Sequence, residues 1–211
     1  PTTTMHTPLV VLGGGPGGYA AAFFAADEGL EVTLVEMEPR LGGTCLLRGC
    51  IPSKALLHVA RVIAEVDELR GDWGVEFPQP KIEIEKVRAR KDKVITTLSG
   101  GLKQLAKRRN VKVITGKGVF ENSTTMRIEG DDPSIPEGGK LTFDKCILAT
   151  GSLPAMPAAF NIGSDRVMDS TGALELKDIP ENLLVIGGGY IGLEMGTVYA
   201  QLGSKVSVVE F

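Results

Sequence analysis

Cysteine is scarce in this chain: three residues in 211, an odd number that makes a poor disulfide framework. Long apolar runs are missing too, and none approaches the roughly 20 residues of a membrane-spanning helix. The N-terminal PTTTMHTPLVVLGGG has no basic start followed by a long apolar stretch, so it does not read as a secretory signal, and a cytoplasmic location is expected. Neither sign of charge dominates. With 23 Lys+Arg against 26 Asp+Glu the net charge is −3, which gives no electrostatic reason to expect nucleic acid or an anionic membrane as partner. Hydrophobic residues at 43% and charged residues at 23% exclude disorder as the main state, and the length suits one large domain or two small ones.

What the chain has in abundance is glycine, 27 residues, many of them in two clusters. Aligned without a gap, 11–36 (VLGGGPGGYAAAFFAADEGLEVTLVE) and 185–210 (VIGGGYIGLEMGTVYAQLGSKVSVVE) are identical at 10 of 26 positions. The matches include Gly13/Gly187, Gly15/Gly189, Gly18/Gly192, Gly29/Gly203 and Glu36/Glu210. One supersecondary unit is therefore used twice, too far apart for a solenoid of stacked repeats. In each copy a short apolar strand (Pro8–Leu12, Leu183–Ile186) enters the glycine turn. A helix follows (Tyr19–Glu28, Ile191–Leu202) that stops at Gly29 or Gly203, then an alternating strand (Val32–Val35, Val206–Val209) closes on a glutamate. This is a βαβ unit with parallel strands.

Between the copies, apolar spacing predicts helices over Ser53–Leu69 and Ile84–Arg109. The basic cluster Lys103, Lys107, Arg108, Arg109 on the second reads as a solvated helix end. From Val111 the period changes to two, predicting strands at Val111–Ile114, Gly118–Phe120, Thr124–Ile128 and Leu141–Leu148. The last ends in Ala149-Thr150-Gly151, and a Pro-containing connector leads to the second copy, so a domain boundary is expected near Gly151. The sequence ends one residue after Glu210. A lone βαβ unit cannot cover both faces of a parallel sheet, and a truncated molecule is the expectation.

Gly13-x-Gly15-x-x-Gly18 with Glu36 carries a specific chemistry. The glycines allow a tight turn and close approach to a pyrophosphate, the helix N-terminus offers amides to phosphates, and the acidic residue can bind ribose hydroxyls. Its recurrence at Gly187, Gly189, Gly192 and Glu210 implies two dinucleotide sites. A carboxylate at Glu210 favours the 2′-hydroxyl of NAD over the 2′-phosphate of NADP. The third feature is Gly42-Gly43-Thr44-Cys45-Leu46-Leu47-Arg48-Gly49-Cys50-Ile51-Pro52-Ser53-Lys54. Cysteines this close, at a Gly-rich turn entering a helix, suit redox exchange; an inert pair and half of a zinc site are the rival readings. Zinc needs further ligands, and only Cys146 and two histidines remain, so no metal site is expected. Cys146 reads as a small core residue.

The two fingerprints, GGTC-x4-CIPSK and the ATG strand end together resemble the flavin-dependent pyridine nucleotide–disulfide oxidoreductases over essentially the whole chain, and within them the branch that oxidises dihydrolipoamide. The resemblance implies an α/β fold: a Rossmann-like FAD-binding domain (parallel sheet plus β-meander) over 1–150, then the start of a second Rossmann-like, NAD-binding domain over 151–211. It implies FAD at Gly13, Gly15, Gly18, Glu36, Gly43, Thr44, Gly118, Thr150 and Gly151, and NAD at Gly187, Gly189, Gly192 and Glu210. Cys45 becomes the thiol that exchanges with the dithiol substrate and Cys50 the thiolate facing the flavin; Lys54 sits by the flavin and pairs with Glu194. The implied partners are dihydrolipoamide or a lipoyl domain of a 2-oxoacid dehydrogenase complex, and a second copy in a homodimer. Leu47-Arg48 departs from the family's Asn-Val and puts a cation beside the cysteine loop. The family's catalytic histidine lies beyond this sequence, and His58 is no substitute, so the chain alone is expected to turn over poorly. Another disulfide reductase of the family, or a non-catalytic FAD-binding fragment, are the alternatives.

Overall fold

The computed structural model describes residues 4–210. The chain divides into two compact units: residues up to Leu47 join Thr96–Ser152 in one, and Arg48–Ile95 join those from Leu153 onward in the other. The boundary expected at Gly151 stands beside the last of these crossings; the two earlier ones fall where no composition change marks them.

The first unit is built on a six-stranded sheet of order β3-β2-β1-β6-β5-β4. Strand β1 (Met5–Leu12) pairs in parallel with β2 (Val32–Glu36) on one side and with β6 (Lys140–Leu148) on the other, and β3 (Lys112–Thr115) extends the parallel part beyond β2. β4 (Lys117–Asn122), β5 (Thr125–Glu129) and β6 form the antiparallel meander. β2 is buried at every position, Thr33 and Glu36 included, so the alternation expected of this strand does not extend to its burial: a strand between two parallel neighbours is covered on both faces. Val10, Val35, Ile114, Met126, Leu141 and Phe143 pack the core of this sheet. Helix α1 (Pro16–Asp27) crosses from β1 to β2; Pro16 starts it where no amide is needed, and Gly29 at φ +88° closes it, with Gly29 and Leu30 amides donating to Ala26 and Ala25 carbonyls. Since β2 lies to one side of β1 and β6 to the other, the turn after β1 opens at a topological switch point, the usual ligand crevice of such sheets.

Of the basic cluster, Lys103, Lys107 and Arg108 are exposed and Arg109 is the exception. Arg109 bonds Asp27 at 2.9 Å and lies 5.3 Å over the Phe23 ring, fastening the end of α4 (Ile84–Arg108) to α1. A short helix, α2 (Gly43–Arg48), occupies the cysteine loop.

In the second unit α3 runs Cys50–Asp72, beginning three residues before the sequence expectation. Pro52 falls in its first turn, where its missing amide costs nothing. The apolar face of α3 (Leu56, Ala60) packs on α6 (Tyr190–Leu202) through Met195, Val198, Tyr199 and Leu202, with Leu174 and Leu176 from the end of α5 (Ser170–Glu175) completing the core. α6 joins the parallel strands β7 (Asn182–Ile186) and β8 (Lys205–Val209). Gly203, at φ +119°, ends α6 with the same closure as Gly29 in α1: Gly203 and Ser204 amides donate to Ala200 and Tyr199 carbonyls.

Candidate functional site

The first fingerprint folds into a cradle at the end of β1. Gly13 turns the chain at φ +108° while its amide donates to the Val35 carbonyl at 2.8 Å, locking the turn onto β2. A methyl on Gly18 would fall 1.7 Å from the Gly13 carbonyl oxygen, so α1 can begin this close to β1 only with glycine there. Gly15 is the N-cap and brings no side chain to the first turn of α1, whose amides are left without a side-chain cap. The Gly42-Gly43 backbone lies against the turn: the Gly42 amide donates to Gly14 at 2.9 Å, and a methyl on Gly43 would come 2.5 Å from the Gly15 Cα.

Glu36 ends β2 nearly buried, at 7% exposure, where its carboxylate accepts from the Gly14 amide at 2.5 Å and from the Glu38 amide at 2.8 Å. An ionised carboxylate has about four acceptor positions, so two remain for ribose hydroxyls. The end of β6 closes the other side. The Ala149 amide donates to Leu12 at 2.8 Å, Thr150 and Gly151 follow, and the Thr44 hydroxyl donates to the Ser152 carbonyl at 3.3 Å. Gly118 on β4 joins this group: a methyl there would strike Met126 Sδ at 2.5 Å and Leu12 Cδ1 at 2.7 Å. The residues expected to hold FAD in this unit thus gather around the ends of β1, β2 and β6, and a cradle that a Cβ would fill, with uncapped amides and a buried acceptor, fits a dinucleotide.

The second fingerprint repeats the geometry. The Gly187 amide donates to Val209 at 2.8 Å, a methyl on Gly192 would fall 2.1 Å from the Gly187 oxygen, and Glu210 accepts from the Gly188 amide as Glu36 does from Gly14. Glu210 is exposed where Glu36 is buried.

Of the cysteine segment, Cys45 lies half-buried on α2, two residues beyond the Gly43–Gly15 approach, and Cys50 opens α3 in an exposed position. Lys54 is exposed one turn after Cys50. Glu194, expected to pair with Lys54, instead accepts from the Ser53 hydroxyl at 2.5 Å, and among the described residues Lys54 makes no ion pair. Ser53 was not among the expected site residues; its neighbours in CIPSK were the only signal. Burial pushes the Cys146 thiol above its ordinary value; the residue is half-buried in β6 opposite Val10 and packs against the margin of the core. His58 is exposed on α3, and among the described residues no three His, Cys, Asp or Glu side chains gather as metal ligands.

Comparison with known proteins places this geometry. The family model described as pyridine nucleotide-disulphide oxidoreductase matches residues 7–211. Dihydrolipoyl dehydrogenase of Vibrio parahaemolyticus is 52% identical over 202 residues, covering 96% of this chain and 42% of the relative. That of Haemophilus influenzae is 50% identical over 206 residues, covering 98% and 42%. Among solved structures, the HOCl-induced flavoprotein disulfide reductase RclA from Escherichia coli superposes with a TM-score of 0.78 at 30% identity, covering 96% of this chain and 42% of that one. The chain thus spans about two fifths of the relatives it matches. With both fingerprints folded as cradles and the match running from Thr7 onward, the chain belongs to the pyridine nucleotide-disulphide oxidoreductase family.

Proposed function

We propose that this chain is the flavin-side part of an enzyme that oxidises dihydrolipoamide to lipoamide and passes the electrons to NAD⁺. One observation carries the reading: the segment bearing Cys45 leaves directly from the backbone packing of Gly42-Gly43 on the first cradle, so a dinucleotide site and a thiol are built by one stretch of chain. In this reading residues 1–150 form the FAD-binding domain and 151–211 open the NAD-binding domain. Gly13, Gly15, Gly18, Gly43, Thr44, Gly118, Thr150 and Gly151 hold FAD, with Glu36 on its ribose. FAD, when bound, supplies a two-electron acceptor between dithiol and nicotinamide.

The chain's own chemistry is thiol–disulfide exchange. A substrate thiolate attacks Cys45 of a Cys45–Cys50 disulfide, releasing Cys50 as thiolate. The second substrate thiol then displaces Cys45, leaving a cyclic substrate disulfide and two enzyme thiols. Lys54 and Glu194 serve beside Cys50. Gly187, Gly189 and Gly192 hold NAD, and the Glu210 carboxylate selects it over NADP by accepting from a 2′-hydroxyl and repelling a 2′-phosphate. The parent protein is a cytoplasmic homodimer that meets a lipoyl domain of a 2-oxoacid dehydrogenase complex. The greater identity to relatives named dihydrolipoyl dehydrogenase than to the disulfide reductase favours this direction over substrate reduction.

The test is the visible spectrum of the FAD-reconstituted protein before and after dihydrolipoamide. The expected result is flavin bands that gain a long-wavelength absorbance of a thiolate beside oxidised flavin, lost in Cys50→Ala. Flavin bands unmoved by dithiol, or moved equally in Cys50→Ala, would overturn the cysteine assignment.

A further inference from the structure

We propose that Ser53 is the positioning residue for Glu194: its hydroxyl holds the Glu194 carboxylate against the helical turn that carries Cys50. The proposal rests on the functional reading above, in which Cys50, Lys54 and Glu194 work together, and adds a residue to it.

Glu194 is the fifth residue of α6, past the uncapped amides of the helix start, and it is half-buried. A carboxylate drawn from water at such a place needs a donor. The Ser53 hydroxyl supplies it at 2.5 Å across 141 residues of sequence. Ser53 is only 4% exposed, and its amide is already committed to the Gly49 carbonyl at 3.0 Å, closing the first turn of α3. A helical serine commonly turns its hydroxyl back to the carbonyl four residues earlier; here it reaches over to α6. The two helices cannot drift apart beneath this bond, because Leu56 and Ala60 of α3 pack into the same core as Met195 and Val198 of α6. Cys50 lies three residues before Ser53 and so shares its side of the helix, while Lys54, one residue on, is exposed and unpaired among the described residues.

The experiment uses the full-length FAD-loaded protein carrying Ser53→Ala, Ser53→Thr, Glu194→Gln and the Ser53→Ala/Glu194→Gln pair. Flavin content, the long-wavelength absorbance after dihydrolipoamide, and kcat and KM are measured on each. Loss of one hydrogen bond to a charged group predicts that Ser53→Ala lowers kcat about tenfold with KM within about twofold, and weakens the long-wavelength band. Thr restores both, and the paired variant is no worse than Glu194→Gln. Parental kcat and band in Ser53→Ala, no rescue by Thr, or effects that multiply in the pair would overturn the role of Ser53. Should Ser53→Ala fail to fold, the proposal requires that adding Glu194→Gln, which removes the stranded charge, restores folding; failure to do so also overturns it. A parent protein whose flavin ignores dithiol would sink the functional reading itself, and the proposal with it.

Discussion

A methyl group at Gly18 meets a backbone oxygen at 1.7 Å, and no side-chain rotation can relieve that contact; only separation of α1 from β1 would. Gly17, one residue earlier, points a Cβ no nearer than 3.9 Å to the Ala149 methyl. The two glycines therefore predict opposite outcomes. Gly18→Ala should destabilise the chain by more than about 3 kcal/mol, in the range of severe core clashes. Gly17→Ala should be neutral or stabilising by up to about 1 kcal/mol, since alanine is the better helix former. Urea midpoints of the two variants check this; equal losses would mean that the spacing of the fingerprint does not arise from helix–strand approach. At this scale legibility follows spacing. The glycines and the two glutamates recur in a pattern that the backbone geometry demands, and they stood out at once. Ser53 and Lys91 did not, because a single polar residue carries no period and their partners, Glu194 and the Leu174 carbonyl, lie 141 and 83 residues away.

The six-residue helix α5 is held at both ends by side chains. Asp169 caps its start by accepting from the Gly172 amide at 2.9 Å. Its last carbonyls are taken by the Tyr199 hydroxyl, donating to Ala173 at 2.8 Å, and by buried Lys91, donating to Leu174 at 2.8 Å. Helices this short show no 3.6 period, which is why α5 and α2 escaped sequence reading while α4 did not. The clamp has a pH signature. Burial, with Asp178 adding to it and Arg166 opposing, raises the Tyr199 phenol above its ordinary value of 10.0. The folded chain thus keeps a proton that the unfolded chain releases. This stabilising contribution is complete below pH 10.0 and is lost as pH climbs through the raised value. Tyr199→Phe should cost about 1 kcal/mol near neutrality for the lost hydrogen bond, yet show a shallower fall of the urea midpoint above about pH 10. A parallel fall in parent and variant would remove Tyr199 from the alkaline limb.

For the whole molecule, the doubled βαβ unit and the meander were readable because strands and fingerprints carry local periods. The division into units was not. The helices α3 and α4 lie between strands of the first sheet in sequence, and long-range contacts with no local mark gather residues 48–95 into the second unit: Leu56 and Ala60 pack on α6, Ser53 bonds Glu194 and Lys91 bonds the Leu174 carbonyl. The two copies also differ in support. β1 is paired on both sides, and Val10, Val11, Leu34 and Val35 in β1 and β2 are fully buried. β7 and β8 form a sheet of two strands, a number marginal by itself, with Leu184 58%, Ile186 46%, Val208 44% and Val209 45% exposed. The β7–β8 ladder therefore leans on α6 and on one face alone. Native-state hydrogen exchange of the 211-residue chain should find amides of β1, β2 and β6 opening only with global unfolding. Those of β7 and β8 should exchange at least about tenfold faster through local opening, although their fingerprint is built like the first. Equal protection in both sheets would show that α3 and α6 lend the second cradle the rigidity its two strands lack. The two glycine motifs would then be matched in stability as well as in geometry.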